Sequence, residues 1–145
     1  MREFEEIELL LRKTCFLVKV AGRMVLKDFE LTASQFDILQ YLYFEGPQRM
    51  TKLSEKMGVT KSTMTGLVAR LENCGYVTRE RYERDRRVFL VKILPKGEKI
   101  IRRVIEKRVD FIASSLLNEV NAETFLDNLK KVYGAISKRF DQLKS

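Results

Sequence analysis

The sequence predicts a mainly α-helical fold with one small β-hairpin and long helices at both ends of the chain. Three observations point to it. Apolar residues recur at steps of three and four through most of the 145 residues, the spacing that lines one face of a helix. Only two Pro and seven Gly are present, so long helices meet few breakers. Strand-like alternation is confined to residues 77–94, where Phe89, Val91 and Ile93 fall on one face.

Residues 4–29 read as a long helix whose seam runs through Phe4, Ile7, Leu11, Cys15, Val18, Gly22, Val25 and Phe29. The segment "LTASQF" starts a second helix. Thr32 is its N-cap, Gln35 completes a capping box, and Leu31 and Phe36 are spaced as a hydrophobic staple. This helix is expected to bury Phe36, Leu39, Leu42 and Tyr43 and to stop at Gly46-Pro47. Thr51 is expected to cap a short helix carrying Leu53 and Met57. Gly58 ends it, Val59 makes the bend, and Thr60 caps the next helix, in which Met64, Leu67, Val68 and Leu71 form the apolar stripe. Gly75 terminates that helix. Two short helices joined by a tight Gly-containing turn form a helix-turn-helix candidate.

Val77–Arg81 and Val88–Leu94 read as two strands with a charged tip between them. Pro95 suits the first position of a helix reaching about Leu117, with Ile101, Val104, Ile105, Ile112 and Leu116 on its apolar side. Asn121 caps a last helix with the seam Phe125, Leu129, Val132, Ile136, Phe140 and Leu143.

Composition excludes several classes of function. There is no histidine, which removes Ser-His and Cys-His catalysis and the usual mixed Cys/His zinc sites. Cys15 and Cys74 are too few for a disulfide framework. No cluster of carboxylates stands out, so no enzyme activity, cofactor or metal is expected. No run approaches the roughly 18 apolar residues of a membrane span. The amino terminus is acidic rather than basic-then-apolar, so a cytoplasmic protein without a membrane partner is expected.

The net charge of +8 is not spread evenly. Between Arg49 and Lys92 there are eleven Lys or Arg against five Asp or Glu; the rest of the chain holds 17 against 15. A basic patch of this kind favours a polyanion, nucleic acid first. In the helix after Thr60, the side opposite the apolar stripe shows Lys61, Ser62, Thr63, Thr65, Gly66, Ala69 and Arg70. Mostly short side chains let a helix approach base edges and phosphates closely, and hydroxyls donate or accept there. This helix is read as the one that enters a major groove. Six of the seven residues Arg81–Arg87 are charged. Arg84, Arg86 and Arg87 supply planar forks suited to a narrow minor groove, and Asp85 is expected to shape the tip by accepting from a neighbouring Arg.

The terminal helices carry more apolar seam than so small a chain can bury alone. A symmetric dimer would cover it, with Ile7, Leu11, Ile112, Leu116, Leu129, Ile136 and Phe140 at the seam. Two such units would read half-sites on the order of 10 base pairs apart.

The order of elements, the segment "LTASQFDILQYL" and especially "DRRVFLVKILPKG" resemble the MarR family of bacterial transcriptional regulators over nearly the whole chain. Asp85, Arg87, Leu94 and Gly97 match the family's wing signature, while Pro95 stands where Thr is usual. The resemblance implies a winged helix-turn-helix homodimer. Residues 31–95 would read double-stranded DNA at a pseudo-palindromic operator, and residues 1–30 and 96–145 would form the helical dimerisation region. The family often represses transcription until a small phenolic or other anionic ligand, or an oxidant, releases it. Carried over, residues 60–74 are the recognition helix, and Asp85, Arg86 and Arg87 belong to the wing.

One branch of the family senses organic hydroperoxides through a Cys in the first helix, and "TCFLVKV" places Cys15 in similar company. That chemistry needs an activated thiolate and tyrosine hydrogen bonds. No tyrosine lies in residues 16–40, and Cys15 sits on the apolar seam, so packing as a small hydrophobe is the preferred reading. Cys74 is read the same way. Two rivals from other classes remain: a winged helix that contacts only protein, which would bind no duplex, and a nucleic-acid enzyme, which would need a carboxylate or metal cluster.

Overall fold

The computed structural model describes residues 1–145. It contains α1 (Arg2–Lys27), α2 (Ala33–Glu45), β1 (Gln48–Arg49), α3 (Met50–Met57), α4 (Lys61–Asn73), β2 (Val77–Tyr82), β3 (Asp85–Ile93), α5 (Pro95–Leu116) and α6 (Ala122–Lys144). The strands form one antiparallel sheet in the order β1-β3-β2. Two compact units are present, Met1–Arg108 and Val109–Ser145, with the boundary inside α5.

The core lies in the first unit and is built from every helix of that unit and two strands. Leu26, Phe36, Ile38, Leu42, Leu53, Met64, Val68, Leu71, Val91 and Ile101 are all buried in it. α2 is the hub. Thr32 Oγ1 accepts from the Gln35 amide (3.1 Å), and the Gln35 side chain accepts from the Thr32 amide (3.0 Å), which fixes where the helix starts. It then buries Phe36, Ile38, Leu39 and Leu42, while Tyr43 is only half-buried. The expected single stripe missed Ile38 because neighbours cover α2 on more than one side.

Left-handed residues close three of the helices. Gly58 (φ 66°) ends α3 and Gly75 (φ 77°) follows α4. In each, the next amide reaches back to close the last turn: Val59 to Ser54 O (3.1 Å) and Tyr76 to Leu71 O (3.0 Å). The chain leaving α1 does the same, with the Leu31 amide on Leu26 O (3.3 Å), but Glu30 occupies the left-handed position at φ 56°.

Four local expectations are corrected. A third strand, β1, pairs Gln48 with Val91 and Arg49 with Leu90; two residues carry no periodicity to read. Because β1 runs straight into α3, the helix begins at Met50 with Arg49 as an N-cap that makes no side-chain bond, and Thr51 lies inside the first turn. The wing strands extend further into the charged tip than expected, leaving only Glu83 and Arg84 as the turn. Cys15 and Cys74 are both exposed rather than packed within the chain. Residues 1–19 of the first helix are exposed throughout, and Cys74 caps α4 outside its buried stripe.

In the second unit, Asn121 caps α6 by accepting from the Thr124 amide (3.0 Å). α6 buries no residue at all, although Phe125, Leu129, Val132, Ile136, Phe140 and Leu143 line it.

Two backbone positions make opposite predictions. A Cβ at Gly97 would fall on the Tyr76 carbonyl oxygen and 2.8 Å from Ile93 Cγ1. Gly97→Ala is therefore expected to lose about 1–3 kcal/mol of stability through overpacking. Glu30→Gly relieves a left-handed non-glycine residue and is expected to gain about 0.5–1 kcal/mol. Urea denaturation of both variants checks the signs.

Candidate nucleic-acid interface

α4 shows its two sides plainly. Met64, Val68 and Leu71 are buried and Leu67 is half-buried; Lys61, Ser62, Thr63, Thr65, Gly66 and Arg70 are exposed, and Ala69 is intermediate. Some hydroxyls are already engaged. Thr60 Oγ1 accepts from the Thr63 amide (3.2 Å) and donates to Thr63 Oγ1 (3.0 Å). Thr65 donates to the Lys61 carbonyl (2.8 Å). Gly66 has nothing within 4 Å of where a Cβ would sit, so it is a flat spot facing solvent.

The wing is irregular at its tip. Arg81 pairs with Phe89, but the next pair is Tyr82 with Asp85, so Arg86, Arg87 and Val88 have no partners on β2. A slip of this kind bends the strand and re-aims its side chains. Asp85 holds the bend. Its Oδ1 accepts from the Arg87 amide (3.1 Å) and from Arg87 Nε (3.2 Å), and Oδ2 accepts from the Arg87 guanidinium (3.4 Å). The Arg87 side chain, then its backbone amide, hold the Asp85 carboxyl below the usual aspartate range, and the Arg49 charge adds to this. Arg87 is thus oriented by Asp85, whereas Arg84 sits in the turn and Arg86 in the unpaired segment.

Two cations of this face were absent from the expected set. Arg49 lies over the Tyr82 ring (5.4 Å to the centroid), and Arg81 lies over Phe89 (5.3 Å) while donating to the Arg86 carbonyl (3.3 Å). Arg49 reaches the wing only because β1 pairs with β3, a contact that no local pattern announces. Arg81 was visible within the charged run, and its cross-strand aromatic partner was the signal that could have singled it out.

A second polar feature lies between α1, α2 and α5. Arg108 donates to the Gly22 carbonyl (3.2 Å) and its guanidinium carbon sits 4.1 Å from the Phe36 ring centroid. Its Nε is buried without a partner. Burial opposes the Arg108 charge, and Asp37 nearby partly offsets that. Asp37 is itself pushed up by burial, with Arg108 acting against the shift. A cleft of about 330 Å³ between α2 and α3 is lined by Asp37, Tyr41, Phe44 and Lys56, among others. No group of three His, Cys, Asp or Glu side chains comes together to hold a metal, and no helix is long and apolar enough to cross a membrane.

Comparison with known proteins is consistent across sequence and structure. The family model described as the MarR family matches residues 31–89. The chain is 38% identical over 107 residues to YsmB, an HTH-type transcriptional regulator of Bacillus subtilis, covering 74% of this chain and 73% of YsmB. It is similar to the crystal structure of the transcriptional regulator Tm0710 from Thermotoga maritima, with a TM-score of 0.81, 47% identity, and coverage of 94% of this chain and 98% of that one. It is also similar to a MarR family protein from Bacillus stearothermophilus, with a TM-score of 0.82, 38% identity, and coverage of 94% and 96%.

Because the folded pKa of Asp85 is depressed, its contribution to wing order is present above the ordinary carboxylate range. It is lost as pH falls through the folded value. A carboxyl carbon titration by NMR should give Asp85 a midpoint below the ordinary value of about 3.9. Arg87→Ala should move it back up. An unshifted midpoint in the parent protein would contradict the pairing.

Proposed function

The chain belongs to the MarR family of DNA-binding transcriptional regulators, and on that premise we propose that it works as a homodimer on a pseudo-palindromic duplex operator. One observation carries the reading. The short-side-chain face of α4 and the wing with Arg84 and Arg86 belong to one compact unit, tied together by a single sheet. In this reading α4 enters the major groove. Lys61 and Arg70 meet phosphates, Ser62, Thr63 and Thr65 meet base edges, and Arg84 and Arg86 reach the adjacent minor groove. Arg87 completes the wing contact in the orientation Asp85 sets, with Arg49 and Arg81 adding charge beside it.

The dimer reading rests on exposed apolar seams. Ile7, Leu11, Ile112, Leu129, Ile136 and Phe140 are exposed, and Leu116 is half-buried. Fully burying a side chain of this size contributes about 1.5–3 kcal/mol, so a handful of them supports a stable pair.

The regulator acts as a repressor that a small anionic or phenolic ligand releases. Arg108 supports this part. A half-buried guanidinium with one unpartnered N–H, stacked on Phe36, is suited to a planar aromatic anion. An oxidant acting through Cys15 is the weaker form of release. The Cys15 thiol is exposed, but no tyrosine stands near it in sequence.

Binding is expected to be steeply salt-dependent, because each neutralised phosphate releases counterions. With a duplex selected from a random-site library, Arg84→Ala and Arg86→Ala should each weaken binding by about 1–3 kcal/mol. Lys61→Ala should weaken all sequences alike and reduce the slope of log affinity against log salt by about one. Ser62→Ala should change the selected sequence. Parent protein that selects no duplex, even in dilute salt, is a different kind of protein. For the effector, Arg108→Gln should keep duplex affinity within about twofold and abolish release by 2-hydroxybenzoate; a variant released as readily as the parent protein removes Arg108 from the effector site.

A further inference from the structure

The C-terminal end of α4 is held from outside by the start of α5. Lys96 Nζ donates to the Cys74 carbonyl (2.8 Å), and Cys74 is the C-cap of α4. The same ammonium lies 5.2 Å from the Tyr76 ring centroid. Next to it the Leu94 amide donates to the Tyr76 carbonyl (2.8 Å). Gly97 then lets α5 approach the Tyr76 backbone so closely that no side chain fits between them. A third tie, the Arg79–Glu72 ion pair (2.7 Å), joins β2 to the last turn of α4.

Lys96 is electrostatically out of place on its own helix. It is the second residue of α5, where the positive end of the helix dipole disfavours a cation. Its charge is matched instead by the negative end of α4, where carbonyls lack intrahelical donors. Two opposite helix ends thus meet at one ammonium group. α4 has 13 residues and is about 20 Å long, so a tilt of about 5° about its C-terminal end would displace Lys61 by roughly 2 Å. A base-reading side chain tolerates far less than that.

We propose that Lys96 is a positioning residue for operator binding: it clasps the C-terminal end of α4 to the first turn of α5 and so sets the angle at which α4 meets the groove. This rests on the reading of α4 as the groove helix. In this proposal Lys96 acts through the Cys74 carbonyl and not through a contact to DNA. Its effect therefore differs from that of a phosphate-contacting lysine, which supplies counterion release and acts on every sequence equally.

The test uses the full chain and two duplexes, one selected from a random-site library by the parent protein and one of scrambled sequence. Affinities are measured by fluorescence anisotropy over a salt series for the parent protein, Lys96→Met and Lys96→Arg. Lys61→Ala serves as the phosphate-contact control. Lys96→Met is expected to weaken the selected duplex by roughly three- to tenfold with an unchanged salt slope, and to leave the scrambled duplex within about twofold. Lys96→Arg, which can still reach the Cys74 carbonyl and stack on Tyr76, should restore most of the loss. Thermal unfolding should show both variants folded at the assay temperature. A Lys96→Met slope reduced by about one, as for a lost phosphate contact, overturns the proposal. Equal loss on both duplexes, no loss at all, or no rescue by Lys96→Arg would overturn it too. Should Lys96→Met unfold at the assay temperature, the Lys96→Arg comparison decides: unchanged selectivity supports the clasp, and lost selectivity in a folded variant counts against it. If the parent protein selects no duplex, the DNA reading falls and this proposal with it. If it does and Lys96→Met matches it, only the clasp falls.

Discussion

Everything on the basic face depends on β3 being the middle strand. Val91 is wholly buried and pairs with Gln48 on one side and Arg79 on the other. β1 leads without a break into α3, and β2 follows α4 after a single glycine-closed turn. The ladder at Val91 therefore fixes the start of α3 and the exit from α4 at the same time. A wing hung on a two-stranded hairpin alone would be marginally stable in water. Here the third strand and the core beneath it make the wing continuous with the helix pair.

In the proposed reading, that rigidity gives the wing cations their use. Exposed ion pairs contribute little to stability because solvent screens them and ordering two long side chains opposes the gain. The contacts at the tip are better understood as orienting devices. Arg49 is held over Tyr82, Arg81 over Phe89, and Arg87 by both oxygens of Asp85. Each contact removes rotamer freedom before any ligand arrives, so less is lost on binding. Arg84 and Arg86 are left outside this scheme, at the turn and on the unpaired segment; in the proposed reading these are the forks that adjust to a groove. Asp85, the one acid between Arg84 and Arg86, is thus consistent with a binding surface, because its charge is spent on shaping it.

Much of this was legible in the sequence, and the misses share a cause. The capping box at Thr32, the left-handed glycines at 58 and 75, the Thr60 and Asn121 caps and the buried stripe of α4 are local. Their chemistry spans at most eight consecutive residues, so the string of letters contains it. What escaped were pairings across distance. β1 exists only against β3, some forty residues on, and Arg49 joins the wing only through that pairing. Ile38 is buried because α2 is enclosed on several sides, which a one-stripe periodicity cannot express. Cys74, at a helix end, reads as packing from the sequence. In three dimensions its carbonyl, not its thiol, makes the contact, through Lys96. The register slip at the wing tip was equally hidden, since nothing in "ERDRRV" distinguishes paired from unpaired residues.

The distribution of charge bears on how two chains could come together. A pair of chains each carrying +8 would repel strongly if that charge lay along the seams. Part of it lies on the terminal helices, since α1, α5 and α6 together hold 17 cations against 10 anions, but the seam residues themselves are apolar and the charges flank them. The apolar seams can meet without bringing the excess positive charge of the two centres into contact. The repulsion that remains acts between the charged flanks of the helices and between the basic centres, under salt screening. A duplex lying across both centres would neutralise that same charge. In the proposed dimer, DNA binding and chain association are then linked through one electrostatic quantity, and each favours the other because a duplex that neutralises the basic centres lowers the repulsion between the chains.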